Sequence, residues 1–211
     1  RDVLWVYEIQ DPRRSDAPQI GLDGMARTAE IRTEATPGGT IIRNEGIREP
    51  KSRGRANLIE ATSAIVGIVN NAVDDSSGAI HAALEAHAGA AAPDFEVTDH
   101  HGNRHRVWIV DDAGAIERFR QLFAEEPHAY VADGNHRSAA AAMLGYDTFL
   151  AVFFPAATMR IYPYNRLVTE VDWAAERLSS ALGNTFALSG TVETVAYQPT
   201  ETHSIGLYSP E

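Results

Sequence analysis

The chain has 211 residues, 44% hydrophobic and 22% charged, a composition typical of a globular protein and not of a disordered one. Its 18 Lys and Arg residues against 29 Asp and Glu give a formal charge of −11, which argues against broad nucleic-acid binding, because such binding needs clustered positive charge. The absence of cysteine excludes disulfides, thiolate metal sites and thiol nucleophiles. We expect a cytoplasmic protein, and no apolar run is long enough to span a membrane.

The first part of the chain predicts short strands separated by turns. Residues 3–9 form an apolar run rich in β-branched and aromatic side chains, which is typical of a buried strand, and 20–34 hold a second strand. The sequence Pro-Gly-Gly at 37–39 predicts a turn, followed by a short strand at 40–43. Glu45 is therefore expected at the end of a strand.

The only basic cluster of this acidic chain lies at 48–55. It is either a solvated loop or an electropositive wall for a phosphate-bearing ligand, in which case Arg55 would contact that ligand. A helix is predicted through 57–61. The continuous apolar run at 64–69 then predicts a strand that is buried on both faces.

Residues 95–98 and 106–110 predict a β-hairpin. Three histidines, His100, His101 and His105, lie in or next to its turn and invite a metal interpretation. No carboxylate pattern completes such a site, and solvated turn histidines are the simpler interpretation.

Further helices are predicted from capping residues and apolar spacing. Ser76 and Ser77 would cap an alanine-rich helix, and Asp112 would cap a helix whose apolar residues recur at nearly helical period. A last amphipathic helix would follow Asp172.

The most informative stretch is 130–138. It begins as an apolar strand, breaks at Asp133 and Gly134, and resumes as a run of strong helix formers that ends at Gly145. A strand that turns on glycine directly into a helix leaves the first helical N–H groups unpaired and directs the positive end of the helix dipole at the turn, which favours anions. Five side chains able to bind phosphates or move protons surround this point: Asp133, Asn135, His136, Arg137 and Ser138.

A purely structural interpretation of this stretch is also open. Asp133 would then be the N-cap of the helix, worth roughly 1 kcal/mol, and His136 and Arg137 would be solvated residues of its first turn.

A second buried strand is predicted at 149–154, followed at 160–168 by a proline-constrained segment with two Tyr and two Arg. Arg166 would be a second anion ligand or would pair with a surface carboxylate. These elements predict an α+β fold, a mixed sheet with buried strands near Ile65, Tyr130 and Leu150 and helices packed beside it. We expect one α+β region over 1–211, with an N-terminal subregion at 1–62 and a core at 63–211, and we expect it to be a fragment of a longer protein.

The motif Ala132-Asp133-Gly134-X-His136-Arg137 between a strand and a helix resembles a bacterial and archaeal family known as domain of unknown function 1015, whose usual form is Ala-Asp-Gly-His-His-Arg. Other segments resemble the family in the same order: 5–8, 42–45, Arg55, 107–108 and 163–168. The resemblance covers nearly the whole chain, and members are commonly longer at both ends. This sequence departs from the family pattern at Asn44 and Asn135, where the family commonly has histidine.

The same turn is similar to that of the ParB/sulfiredoxin superfamily, which includes ParB-like free-serine kinases and in which the turn cradles nucleotide phosphates. The fold implied is a ParB/sulfiredoxin-like core around the strand, the turn and the helix. By this resemblance the residues that hold the phosphates are Gly134, Asn135, His136, Arg137 and Ser138. Asp133 would lie near the transferred phosphoryl group or its Mg²⁺, and Glu45 would be the base for a substrate hydroxyl.

Three hypotheses follow. The first is a phosphotransferase that uses Mg²⁺ with ATP or ADP and acts on a small hydroxylated metabolite, with Glu45, Asp133 and His136 in catalytic roles and a homo-oligomer as a possible state. The second is a ParB-like, DNA-associated nucleotide hydrolase, which the acidic composition disfavours. The third is a non-catalytic module that binds nucleotides or other anions, which Asn44 and Asn135 suggest.

Overall fold

A computed structural model of the chain describes residues 2–13, 18–160, 166–167, 175–187 and 203–207. It divides into two compact units, Arg1–Met159 and Arg160–Glu211. The described residues of the first unit form eight strands: β1 (Leu4–Gln10), β2 (Gln19–Arg27), β3 (Ile41–Ile42), β4 (Val69–Val73), β5 (Phe95–Thr98), β6 (Arg104–Val110), β7 (Ala129–Asp133) and β8 (Thr148–Pro155). Its helices are α1 (Glu49–Thr62), α2 (Ala79–Ala90), α3 (Ala113–Ala124) and α4 (Asn135–Met143), and the second unit contains α5 (Ala175–Gly183).

All eight strands belong to one sheet in the order β3-β7-β4-β8-β2-β1-β6-β5. β3 pairs with β7, and β4 with β8, in parallel, whereas the remaining pairs are antiparallel. The sheet is therefore mixed, and the predicted α+β class with helices packed beside a mixed sheet is confirmed. The ParB/sulfiredoxin-like core stays a prediction, as does the division into 1–62 and 63–211.

The core forms where apolar side chains of the central strands meet the helices. It contains Val6, Leu22 and Phe149 from the sheet, packed with Leu84 of α2 and Phe119 of α3. Burial of this kind contributes roughly 1.5–3 kcal/mol per large apolar side chain. α1 lies outside this layer and packs on α4, which in turn contacts β4 and β8. Helices α2 and α3 therefore pack directly on the sheet, whereas α1 packs on α4.

The structure corrects one predicted strand. The apolar run 64–69 is a loop apart from its last residue, because β4 begins only at Val69, and Ile65 and Val66 are exposed. Buried and half-buried residues alternate along β4, as they do in an ordinary strand. The strand contains two asparagines as well as apolar residues. The prediction of a buried strand near Ile65 is therefore wrong.

Two predictions about the helices need adjustment. The basic cluster is not a loop, since all but its first residue lies in α1, where Pro50 occupies the first turn, a position that tolerates proline. The α2 helix starts after Gly78. The Ser77 hydroxyl accepts the amide of Ala79 at 3.3 Å, as predicted, whereas the Ser76 hydroxyl donates to Asp74 and the Asp75 carboxylate accepts the amides of Ile80 and His81 at 3.0 and 2.9 Å. The prediction that Asp112 caps a helix is confirmed, because Asp112 Oδ1 accepts the amide of Ala115 at 2.9 Å.

No helix among the described residues is long and apolar enough to cross a membrane. The last predicted helix is present as α5, and Asp172, its predicted cap, lies outside the described residues.

Candidate functional site

The turn between β7 and α4 is built on Gly134, which has φ 110° and occupies the N-cap position of α4. A Cβ atom at this position would lie 3.0 Å from Arg137 Nε and 3.1 Å from Val69 Cα. Both the left-handed backbone and the close approach of β4 therefore require glycine here. The alternative in which Asp133 caps the helix is wrong, because no side chain caps α4 and Asp133 is the last residue of β7.

The first turn of α4 contains two backbone donors without an acceptor among the described residues. The amides of Arg137 and Ser138 donate to the Gly134 carbonyl at 2.8 and 3.1 Å, so the helix is formed from its first residues. Among the described residues, the amides of Asn135 and His136 have no hydrogen-bond acceptor. These are the groups that the sequence predicts as a seat for an anion.

A second helix begins at the same place. Arg48, the N-cap of α1, donates its amide to His136 Nε2 at 3.1 Å. Further along, Ala56 and Ile59 of α1 pack with Ala140 of α4. The two helices therefore run side by side in the same direction, and the positive ends of both dipoles meet next to His136.

The end of β3 is tied to the first residue of α4. Asn135 is only 3% exposed, and its Nδ2 donates to Asn44 Oδ1, while Asn44 Nδ2 donates to the Ala132 carbonyl at 3.4 Å. The parallel pairing of β3 with β7 places Asn44 next to the turn. The buried Oδ1 of Asn135 has no partner among the described residues.

This arrangement also brings Glu45 to the turn. Glu45 Oε1 lies 3.8 Å from His136 Nδ1, and the Glu45 side chain is largely exposed, whereas that of His136 is mostly buried. Because His136 Nε2 accepts the Arg48 amide, the neutral ring carries its proton on Nδ1, the atom that faces Glu45. The histidine is thus fixed by one neighbour and directed at a carboxylate by its other nitrogen.

The guanidinium of Arg137 lies in a slot between two glycines. Its Nη2 donates to Asp133 Oδ2 at 2.5 Å, and a Cβ on Gly67, which has φ +87°, would lie 3.1 Å from Arg137 Cδ. Gly134 closes the other side, as described above. The Nε atom is buried without a partner among the described residues, and the exposed Asp133 carboxylate keeps the guanidinium in place.

The remaining predicted ligands are not all in reach of this point. Ser138 is fully buried, and its hydroxyl donates to the Asn135 carbonyl at 3.0 Å, so both its hydroxyl and its amide serve the helix. Arg55 lines a recess together with Arg137. Arg166 is exposed and belongs to the second unit, so its part in the site stays a prediction.

Sequence reasoning missed two contributors. Arg48 contributes its backbone amide, which no side-chain pattern could indicate. Gly67 interrupts an apolar run and adopts a left-handed conformation, and a glycine inside such a run is a signal of close backbone approach.

The site offers one carboxylate at the place where Mg²⁺ is expected. Among the described residues, no three His, Asp or Glu side chains are grouped so that they could hold a metal ion by themselves. Mg²⁺ commonly binds through one or two carboxylates together with substrate phosphates and water. Asp133 is exposed and fits that role, provided that its pairing with Arg137 is shared with the ion.

No curated protein and no solved structure matches the chain. The model of one protein family matches residues 1–211, which is the whole chain, and its description is protein of unknown function (DUF1015). This confirms the family to which the motif around Gly134 pointed: the chain belongs to the DUF1015 family.

Proposed function

We propose that the chain binds the phosphates of ATP or ADP at the turn between β7 and α4 and transfers a phosphoryl group to a small hydroxylated metabolite. One observation carries the proposal: the starts of α1 and α4, the guanidinium of Arg137 and the Glu45–His136 pair all meet at this turn. Free serine is the first acceptor to test, by the similarity to ParB-like kinases stated above.

The anion seat consists of backbone groups with one guanidinium next to them. The free amides of Asn135 and His136 would donate to phosphate oxygens, and the two helix dipoles add to the positive potential of the Arg137 guanidinium. Arg137 is held on both faces and by Asp133, so it is pre-organised for a phosphate instead of having to be ordered by it. Such a local seat is compatible with the acidic composition of the whole chain.

The transfer itself requires a base and an aligned hydroxyl. The oxygen of the acceptor hydroxyl forms a bond to the terminal phosphorus, the bond from that phosphorus to the bridging oxygen breaks, and the electron pair stays on the shortened nucleotide. The hydroxyl proton passes to the Glu45 carboxylate. His136 Nδ1 faces Glu45 Oε1 at 3.8 Å, and this distance must shorten on substrate binding before the ring can orient the base by a hydrogen bond. Bound Mg²⁺, held by Asp133 and phosphate oxygens, would neutralise phosphate charge.

The pair of asparagines favours a second candidate, a module that binds nucleotide without turnover. Asn135 and Asn44 are joined by a hydrogen bond between neutral amides, and neither can carry a proton as the histidine expected at those positions could. For either candidate we propose a small-molecule ligand, no nucleic-acid partner, a homo-oligomer and a cytoplasmic location. We also propose that the chain is related to the ParB/sulfiredoxin superfamily.

Calorimetry tests binding first. The Arg137→Ala variant should bind ATP or ADP with Mg²⁺ at least about tenfold more weakly than the wild type, a loss of about 1.4 kcal/mol. Arg118→Ala, which removes an exposed arginine of α3, is the matched control and should bind normally. Absence of nucleotide binding by the wild type, or unchanged affinity of Arg137→Ala, would refute the proposal.

A product screen then separates the two candidates. The wild type is incubated with Mg²⁺, nucleotide and either serine or other hydroxylated metabolites, and phosphorylated products are sought by mass spectrometry. A phosphorylated product supports the transferase. Tight nucleotide binding without product from any acceptor supports the binding module.

A further inference from the structure

The loop between α1 and β4, residues 63–68, exposes apolar side chains next to the proposed phosphate seat. Ile65 is 38% exposed and Val66 is 44% exposed, although both belong to the apolar run at 64–69. Leu58 of α1 stands beside them and is also exposed. Clustered exposed apolar residues in a polar surface are typical of binding sites.

The backbone of this loop has a defined shape. Ser63, the C-cap of α1, has φ 52°, and Gly67 has φ +87°, so two left-handed residues bend the chain on either side of Ile65 and Val66. The left-handed conformation costs free energy at Ser63, whereas glycine adopts it without that cost. Ile65 and Val66 lie between these two residues and are exposed.

The same loop is in contact with the phosphate seat through Arg137. Gly67 approaches the aliphatic part of the Arg137 side chain, and one recess is lined by Arg55, Leu58, Ile65, Val66, Gly67 and Arg137. The recess thus combines apolar side chains with two guanidinium groups. Guanidinium planes stack on flat rings, and apolar side chains gain free energy when a ring covers them.

The recess itself has a volume of about 10 Å³, room for no more than one water molecule. We infer that the base of the nucleotide lies across the mouth of this recess, so that the exposed side chains of Ile65, Val66 and Leu58 cover one face of the ring and Arg55 lies at its edge. The inference rests on the proposed function, because it assigns a position to the base of a nucleotide whose phosphates are proposed to bind at the turn between β7 and α4. Arg137 links the two parts, since it borders both the turn at Gly134 and the recess at Gly67.

This placement also divides the site into two sides. Glu45 reaches the turn from β3, whereas Gly67 and Val69 reach it from the β4 side, and β7 lies between β3 and β4 in the sheet. The nucleotide therefore occupies the β4 side and leaves the β3 side to the acceptor hydroxyl. That is the order that a displacement in line at phosphorus requires.

The test compares Mg²⁺-ATP with inorganic tripolyphosphate, which has the phosphates but no base. By calorimetry, the wild type should bind ATP at least about tenfold more tightly, which is about 1.4 kcal/mol. The double variant Ile65→Ser with Val66→Ser should lose this advantage and keep its affinity for tripolyphosphate. Phe95→Ser with Val97→Ser, which removes two exposed apolar residues of β5, is the control and should bind both ligands normally.

Each other outcome has a distinct meaning. If the wild type binds both ligands equally, or if the double variant binds ATP like the wild type, the base does not use this recess and the inference is wrong, while the phosphate seat stands. An equal loss of affinity for ATP and for tripolyphosphate in the double variant would also overturn the inference, because the loop would then support the phosphate site and not contact the base. Absence of binding of either ligand to the wild type would remove the proposed function itself.

Discussion

Asn135 donates a side-chain hydrogen bond to Asn44, and this contact joins the first residue of α4 to the end of β3. By the resemblance described from the sequence, these are the two positions at which histidine is expected. The two positions therefore meet in one contact, in which the buried Asn135 donates its Nδ2 to Asn44, while its Oδ1 has no partner among the described residues. Replacement of either asparagine by histidine would have to fit a ring into a space that now holds an amide.

Replacement of Asn44 by alanine should destabilise the protein although Asn44 itself is exposed. The change leaves the buried Asn135 amide without its acceptor, which costs about 1–3 kcal/mol. Urea unfolding of Asn44→Ala, Asn135→Ala and the double variant should give a coupling free energy of about 0.5–3 kcal/mol. Asn57→Ala, an exposed asparagine of α1, is the control. Strict additivity of the two changes would show that the contact contributes nothing.

Gly134→Ala should cost more stability than Gly145→Ala, although both glycines have positive φ. A Cβ at Gly145 meets nothing within 4 Å, so that variant bears only the cost of the left-handed backbone, about 1–2 kcal/mol. At Gly134 the Cβ also meets Val69 Cα and the Arg137 guanidinium. Thermal unfolding measures the difference, and nucleotide affinity should fall in Gly134→Ala alone. Equal destabilisation of the two variants would contradict the close approach of β4.

The sequence predicted the turn well because its signals are local. An apolar run, a glycine and a run of alanines specify the strand, the reversal and the helix within fifteen or so positions, and the structure has β7, Gly134 and α4 there. Asp112 was found for the same reason, since a helix cap lies next to the residues that it caps.

The contacts that assemble the site are not local. Glu45 reaches His136 only because β3 pairs in parallel with β7, and β3 has two residues, too few to show a periodic pattern. The meeting of α1 and α4 likewise depends on packing between segments far apart in the chain. At Ile65 the local signal predicted a buried strand, but the residue is exposed in a loop. Hydrophobicity along the sequence does not show which part of the chain, if any, covers a residue.

Glu45→Gln should abolish phosphoryl transfer and preserve nucleotide binding. The amide has the shape of the carboxylate but cannot accept the hydroxyl proton, and loss of a general base commonly reduces the rate by about 10²–10⁴-fold. Calorimetry should therefore give a wild-type affinity while product formation falls. Glu60→Gln, which changes an exposed glutamate of α1, should transfer at the normal rate. A Glu45→Gln enzyme with the wild-type rate would assign the base to another residue.

A half-buried carboxyl on β2 should make the free energy of unfolding depend on pH. Asp23 lies on β2, opposite Trp5 of β1, and its Oδ1 is buried without a partner among the described residues. Burial raises the pKa of Asp23 to about 7, although the Gly24 amide acts in the opposite direction. The ionised form of Asp23 in turn contributes to the raised pKa of Tyr7, about 12, for which burial of the phenol is the main cause.

The folded protein favours the protonated form of Asp23, because burial raises the pKa of its carboxyl group. The stabilisation that Asp23 provides is complete below about pH 4, the pKa of an unfolded aspartate, and is lost as the pH rises through about 7. Asp23→Asn stays neutral, so it should unfold at a higher urea concentration than the wild type at about pH 8, with a smaller difference at about pH 5. Asp147→Asn, an exposed control, should show no such trend. A difference between Asp23→Asn and the wild type that is independent of pH would mean that Asp23 does not titrate in this range.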